Sequence, residues 1–320
     1  MSFPSFVEIH EEGPREGFQI EKKSYPIADR VALVDALAAS GLRQIQVGSF
    51  VSPRHVPTMA DTAEMFEQLV ETCGKRDGVR YTALWLNERG FERALQTPGV
   101  DLDGKILFYA SDAFSRQNNG CGADEMRDRQ RRWVQLYDER QIPVESAYIM
   151  TAFGCNVQGA VPLQSVLDTV IYIRDLCRET DRPLPHIVLA DTVGWADPEA
   201  VKTRVQAVRE LLPQARIGLH LHDTRGLGIA NVYAALQIGV DLFDASVAGL
   251  GGCPFAAHSD QMAAGNVSTE DLAFLCERLG IETGIDLDAL IEAARLAERV
   301  IGRRLNGSIM HAGRPKAGSH

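Results

Sequence analysis

Short apolar runs alternate along this chain with longer stretches in which apolar residues recur three and four positions apart. The short runs lie at residues 6–9, 44–48, 80–84, 105–109, 144–150, 186–189, 216–221 and 242–246. Each is too short for a helix and reads as a strand. The longer stretches, at 28–40, 60–73, 123–140, 163–180, 198–212 and 228–238, carry the helical period. Pro162 and Pro198 stand where a first helical turn would begin, which suits a residue with no N–H to leave unpaired. Eight strands alternating with helices predict an α/β fold with a parallel sheet, and the count favours closure into a (β/α)8 TIM barrel. No G-x-G-x-x-G follows the first strand, which counts against an open dinucleotide-binding sheet. A last helical stretch at 287–304 extends the pattern. The expected organisation is a catalytic barrel over 1–285, with a C-terminal helix and tail over 286–320 packed on it.

Composition narrows the classes of function. With 320 residues, 45% of them hydrophobic, the chain has material for a barrel-sized core, and no apolar run is long enough to span a membrane. Lys and Arg number 33 against 43 Asp and Glu, a net charge of −10. That balance argues against nucleic acid or an anionic membrane as partner, though a local cationic patch can still hold an anionic substrate. The first residues show no basic region followed by an apolar stretch, so neither a signal nor a transit peptide is expected. Six cysteines, at 73, 121, 155, 177, 253 and 276, form no CxxC pair. Reduced thiols and a cytoplasmic location are the simplest expectation.

In a barrel of this kind the chemistry sits at the C-terminal ends of the strands and in the loops after them. Those places hold Glu12-Gly13-Pro14-Arg15-Glu16-Gly17, Ser49-Phe50-Val51-Ser52-Pro53-Arg54, Ala190-Asp191-Thr192, His220-Leu221-His222-Asp223-Thr224 and Ala248-Gly249-Leu250-Gly251-Gly252-Cys253-Pro254. His220 and His222, two apart on a strand, point to one face and make a ready metal site. An isolated HxH is about as often a core histidine beside a capping neighbour. Asp223 and Asp191 both have cap readings as well. Glu16 offers a hard oxygen and Arg15 a fixed cation, in what reads as a tight loop framed by Gly13-Pro14 and Gly17. Cys253 lies in a glycine-rich loop where backbone can approach a ligand. Cys73, Cys177 and Cys276 fall in helical patterns and read as core.

Taken together these segments resemble the 3-hydroxy-3-methylglutaryl-CoA lyase family, within the wider group of barrel lyases and synthases. The resemblance covers almost the whole chain. Its most specific pieces are Ser246-Val247-Ala248-Gly249-Leu250-Gly251-Gly252-Cys253-Pro254 and Gly265-Asn266-x-x-Thr269-Glu270-Asp271. It implies a barrel enzyme that breaks a carbon–carbon bond in an acyl-CoA substrate with the help of Mg2+ or Mn2+, in a homodimer. Carried over residue by residue, it implies Glu16, His220, His222 and Asn266 as metal ligands. Arg15 would stabilise an enolate oxygen, Asp191 and His220 would assist proton transfer, and Cys253 would be the general acid. Gln46, Ser49 and Glu270 would face the substrate.

Three positions depart from the family pattern. Glu16 stands where the family usually has Asp, and Gln46 where it usually has Glu. The stretch from Cys253 to Asn266, with His258 and Asp260, is a few residues longer than usual. With Gln46 in place of a carboxylate, Arg15 is expected to be less compensated and less firmly held. The competing functions are an acyl-CoA condensing synthase, a pyruvate-releasing aldolase of the same superfamily, and a barrel that binds acyl-CoA or metal without turnover. Synthases of that kind usually continue into a regulatory domain, and the cysteine loop disfavours the aldolase.

Overall fold

A computed structural model describes residues 3–252 and 265–315. Cys253, His258 and Asp260 lie outside them. The described residues pack as two compact units, one built on Leu102–Asp244, the other on Ser5–Asp101 with Ala245–Gly252 and residues 265–315.

In the first unit, strands β4 (Gly104–Tyr109), β5 (Val144–Met150), β8 (His186–Ala190), β9 (Ile217–His220) and β10 (Leu242–Ala245, its last residue in the second unit) pair in parallel. Their order is β10-β9-β8-β5-β4. The register sets Leu189 between Ile149 and Leu219, and all three are fully buried. Strands so apolar on both faces belong to a parallel sheet covered on both sides. A small hairpin, β6 (Gly154–Cys155) with β7 (Gly159–Ala160), follows β5. The helices between are α5 (Asp112–Asn119), α6 (Ala123–Glu139), α7 (Leu163–Glu179), α8 (Pro198–Leu211) and α9 (Gly228–Gln237). Pro198 opens α8 behind Asp197, whose carboxylate accepts the N–H groups of Glu199 and Ala200. Asp191 therefore does not cap that helix.

In the second unit β1 (Glu8–Glu11), β2 (Gln44–Ser49) and β3 (Arg80–Leu84) are parallel, with His10 opposite Gln44 and Ile45 opposite Tyr81. Helix α1 (Gly13–Ile20) begins one residue after β1. The remaining helices are α2 (Ile27–Ala39), α3 (Thr62–Thr72), α4 (Glu88–Gln96), α10 (Thr269–Arg278), α11 (Leu287–Ile301) and α12 (Ile309–Ala312). Helix α11 packs on α2 and α10 through a stripe of Leu290, Ala293, Ala294, Ala297 and Ile301.

Two expectations need correcting. Residues 13–20 are a helix, not a loop; Pro14 in the first turn has no partner to miss, so Pro and Gly there start a helix. The first strand begins at Glu8 rather than residue 6, because Phe6 and Val7 bridge to Glu282 instead.

Arg30 on α2 is 2% exposed and its guanidinium meets the Asp61 carboxylate ahead of α3. Its Nε has no partner among the described residues, so Asp61 is the charge that makes its burial tolerable. Asp61→Ala should lower unfolding free energy by about 3 kcal/mol, measured by chemical denaturation, whereas an exposed-pair value below about 1 kcal/mol would show that the burial is not felt.

Candidate active site

Strand β9 delivers His220 to its C-terminal end, and His222 follows after fully buried Leu221. The two rings sit on one side, centroids 5.1 Å apart, each nearly buried. Each is oriented through Nδ1. His220 Nδ1 is 3.1 Å from Asp244 Oδ2, and His222 Nδ1 is 2.9 Å from the backbone oxygen of Asp191. Asp244 is the residue opposite His220 in the β10 register, and it also accepts the Tyr148 hydroxyl at 2.9 Å. Imidazoles fixed through Nδ1 to a carboxylate or a backbone oxygen are the form in which metal-binding histidines commonly occur. Sequence reasoning missed Asp244 and Tyr148. The available signal was an acid inside the apolar strand Leu242-Phe243-Asp244-Ala245.

Asp191 ends β8 and is 1% exposed. Its Oδ1 accepts the N–H groups of Trp195 and Ala196 at 2.6 and 3.1 Å, while Oδ2 is buried with no partner among the described residues. Burial pushes its carboxyl up to about 6, against those two bonds and the nearby Arg225 and His220 charges. Arg225 stiffens this loop by donating to the carbonyls of Val193 and Gly194, both at 2.8 Å. Asp223 accepts the Gly228 N–H at the start of α9, although the N-cap position itself is Leu227.

In the second unit the first turns of α1 carry Arg15 and Glu16. Arg15 Nη2 lies 2.8 Å from both Glu12 Oε2 and Glu16 Oε1, and its Nε donates to Gln46 Oε1. The expectation of an under-compensated, loosely held Arg15 is therefore overturned: Glu12, 3% exposed, supplies the charged partner that Gln46 does not. Burial alone would lower the guanidinium pKa, but Glu16 and Glu12 outweigh it and raise it. Ser49 is fully buried and donates to the Gln19 side chain at 3.2 Å.

Asn266 donates through Nδ2 to Glu16 Oε2, and its Oδ1 is buried without a partner among the described residues. A Cβ on Gly251 (φ +92°) would fall 3.0 Å from Glu16 Cβ and 3.1 Å from Asn266 Nδ2. Only glycine brings the cysteine-loop backbone that close. Glu270, fully buried, accepts the Ala248 N–H at 3.0 Å. A carboxylate and a side-chain carbonyl oxygen in this unit, like the two oriented imidazoles of the first, are donor types that suit a hard divalent cation.

The model of the HMGL-like family matches residues 6–297. The chain belongs to that family. A 3-hydroxy-3-isohexenylglutaryl-CoA/hydroxy-methylglutaryl-CoA lyase of Pseudomonas aeruginosa is 39% identical over 309 residues, 96% of this chain and 97% of its own. The hydroxymethylglutaryl-CoA lyase of Pseudomonas mevalonii is 39% identical over 313 residues, 98% and 95%. Among solved structures, hydroxymethylglutaryl-CoA lyase from Pseudomonas aeruginosa superposes with a TM-score of 0.87 at 37% identity, covering 98% of both chains. An HMG-CoA lyase of Acinetobacter baumannii in complex with coenzyme A and 3-methylmalate gives 0.85 at 32%, covering 99% of this chain and 98% of that one. Eight parallel strands with their helices, matched end to end by these relatives, make this HMGL-like chain a (β/α)8 barrel. No helix among its described residues is long and apolar enough to cross a membrane.

The buried acids give this chain a pH signature. Burial raises Glu11 to about 8 and Glu270 to about 7. A carboxyl whose folded pKa is raised binds its proton more tightly when folded, so stability is greatest at low pH and falls from the unfolded pKa up to the folded one. Melting temperature should decline between about pH 5 and 8, and Glu11→Gln, which cannot ionise, should flatten that decline. Equal slopes in calorimetric scans of both proteins would contradict the assignment.

Proposed function

We propose that this chain is a divalent-metal-dependent lyase cleaving a 3-hydroxy-3-methylglutaryl-CoA-type thioester to acetyl-CoA and a keto acid, acetoacetate for the standard substrate. The observation that carries the reading is the pair of buried imidazoles, each held through Nδ1, in a chain alike over nearly its full length to hydroxymethylglutaryl-CoA lyases. Cleavage is favoured over condensation and over pyruvate release because those relatives are lyases of this type.

Glu16, His220, His222 and Asn266 are the ligands in this reading. The support lies within each unit: His220 and His222 share one side of the first, each held through Nδ1, and in the second Asn266 sits on Glu16 with its side-chain oxygen unpartnered among the described residues. Nitrogen and oxygen donors without thiolate suit Mg2+ or Mn2+. A cation bound there supplies Lewis acidity to the substrate's tertiary hydroxyl. Asp191 takes the hydroxyl proton on Oδ2, with His220 assisting; a carboxyl raised to about 6 is mostly ionised at neutral pH yet a stronger base than an exposed one. As the C2–C3 bond breaks, its electron pair passes into the thioester as an enolate, and the hydroxyl carbon becomes the ketone of the departing keto acid. Arg15 holds the charge developing on the enolate oxygen. Cys253 gives its thiol proton to the enolate carbon, yielding acetyl-CoA; an ordinary thiol, pKa about 8.5, is mostly protonated at neutral pH. Gln46 and Ser49 belong to the substrate side, with Glu270 behind the cysteine turn. A homodimer and a cytoplasmic location complete the proposal.

Purified protein supplied with Mg2+ or Mn2+ should release acetyl-CoA from 3-hydroxy-3-methylglutaryl-CoA, and chelation should stop it reversibly. Cys253→Ser should keep fold and metal content but lower kcat by at least about 100-fold, because a hydroxyl is too weak an acid for an enolate carbon. Release of pyruvate, or near-normal turnover by the serine variant, would count against the mechanism.

Arg15 already carries Glu12 and Glu16, so Gln46→Glu would press a third carboxylate onto one guanidinium. The single variant should lose roughly fivefold in kcat/KM on that substrate, and Glu12→Gln with Gln46→Glu should recover much of it. The test compares wild type, both singles and the double variant; strictly additive losses would mean that Glu12 and Gln46 do not share the arginine.

A further inference from the structure

One buried side chain touches three of the segments just described. Glu11, the last residue of β1, is fully buried. Its Oε1 accepts the N–H of Gly13 at 2.7 Å and that of Val247 at 2.8 Å, and the Thr269 hydroxyl donates to Oε2 at 2.6 Å. Gly13 opens α1, which carries Arg15 and Glu16. Val247 opens the 3-10 turn Val247–Gly249, from which the chain runs on to Cys253. Thr269 opens α10, just downstream of Asn266.

The fit leaves no slack. A Cβ on Gly13 would lie 2.5 Å from Glu11 Oε1 and 2.9 Å from Ser246 Oγ. The next amide of the turn, that of Ala248, is held by Glu270, and Ala248 itself sits at φ +57°, a conformation disfavoured for alanine and held by its surroundings. Two buried carboxyls thus grip consecutive amides. An apolar side chain would fill such a place without the desolvation cost, so what the acid adds is direction: three hydrogen bonds of fixed length.

We propose that Glu11 is a positioning residue that locks α1, the Val247–Gly249 turn and the start of α10 into one register, so that Arg15, Glu16 and Asn266 present their polar atoms together. The proposal rests on the reading of Glu16 and Asn266 as metal ligands. Burial holds the Glu11 carboxyl at about 8 despite its three hydrogen bonds, so near neutral pH it is largely the uncharged acid. Glutamine is then its close replacement, with the amide oxygen accepting both N–H groups and the amide nitrogen donating to the Thr269 hydroxyl. Aspartate, one methylene shorter, cannot reach all three partners.

The experiment measures Mn2+ affinity by electron paramagnetic resonance without substrate, then kcat and KM, for Glu11→Gln, Glu11→Asp, Thr269→Val and Thr269→Ser, each with a thermal melt. Glu11→Asp should weaken Mn2+ binding and lower kcat by roughly 10–100-fold, with KM for the thioester changed less than about threefold. Glu11→Gln should stay within about threefold of wild type in both. Thr269→Val should show an intermediate loss that Thr269→Ser recovers. Wild-type Mn2+ affinity in a folded Glu11→Asp protein overturns the proposal, and so does damage from glutamine equal to that from aspartate. If Glu11→Asp does not fold, the threonine pair decides: equal behaviour of valine and serine overturns it. A wild type that binds no Mn2+ sinks this proposal with the metal reading. One that binds Mn2+ in a Glu11-dependent way but cleaves no 3-hydroxy-3-methylglutaryl-CoA sinks the substrate reading and supports this one.

Discussion

Taking a carboxyl group out of water, ionised or not, costs free energy unless hydrogen-bond partners replace its hydration. This chain does so repeatedly at strand ends and at the start of α10: Glu11, Glu12, Asp191, Asp244 and Glu270 are each at most 3% exposed. Each is matched to donors that then cannot move freely. Glu12 is matched to Arg15, Asp244 to Tyr148 and His220, and Asp191 to two loop amides. Glu11 takes two amides and a hydroxyl, and Glu270 the amide of Ala248. The groups read as ligands and proton carriers take their directions from these acids. Rigid direction is what a site for a divalent ion and a developing enolate requires.

The sequence made the strands and most helices legible because their periods are uncompromised by function. Runs such as 80–84 and 144–150 appear as strands with those bounds. Legibility failed where polar chemistry intrudes on structure. Gly13-Pro14-Arg15-Glu16-Gly17 looks like a turn by composition, yet its proline and glycines serve the first turn of a helix packed against Ser246, Val247 and Leu250. Within the site, the outward-facing motif residues were visible as motifs. The buried acids behind them were harder to see: Asp244 is a single acid in an apolar strand with no spacing signal, and the adjacent Glu11 and Glu12 lie at the end of a polar strand whose burial the sequence does not show. Only the three-dimensional register reveals that Asp244 stands beside His220.

Arg15 illustrates how a substitution read in isolation misleads. A neutral residue at Gln46 suggested a weakened arginine, but charge balance is a property of the whole shell. Glu12, two residues beyond β1's penultimate position, closes that shell from the arginine's own segment, and Glu16 completes it. Local electrostatics here are set by three partners drawn from a helix start and a strand, so the effect of any one depends on the other two.

The loop after β8 also carries a chromophore. Trp195 hangs its backbone N–H on Asp191 Oδ1, rests its indole against Gly154 and Arg225, and donates from Nε1 to Asn156. The residue is 38% exposed, so it meets solvent at the same loop that orients the proposed proton acceptor. Trp195, one of the chain's three tryptophans, thus ties an indole to the loop that orients Asp191.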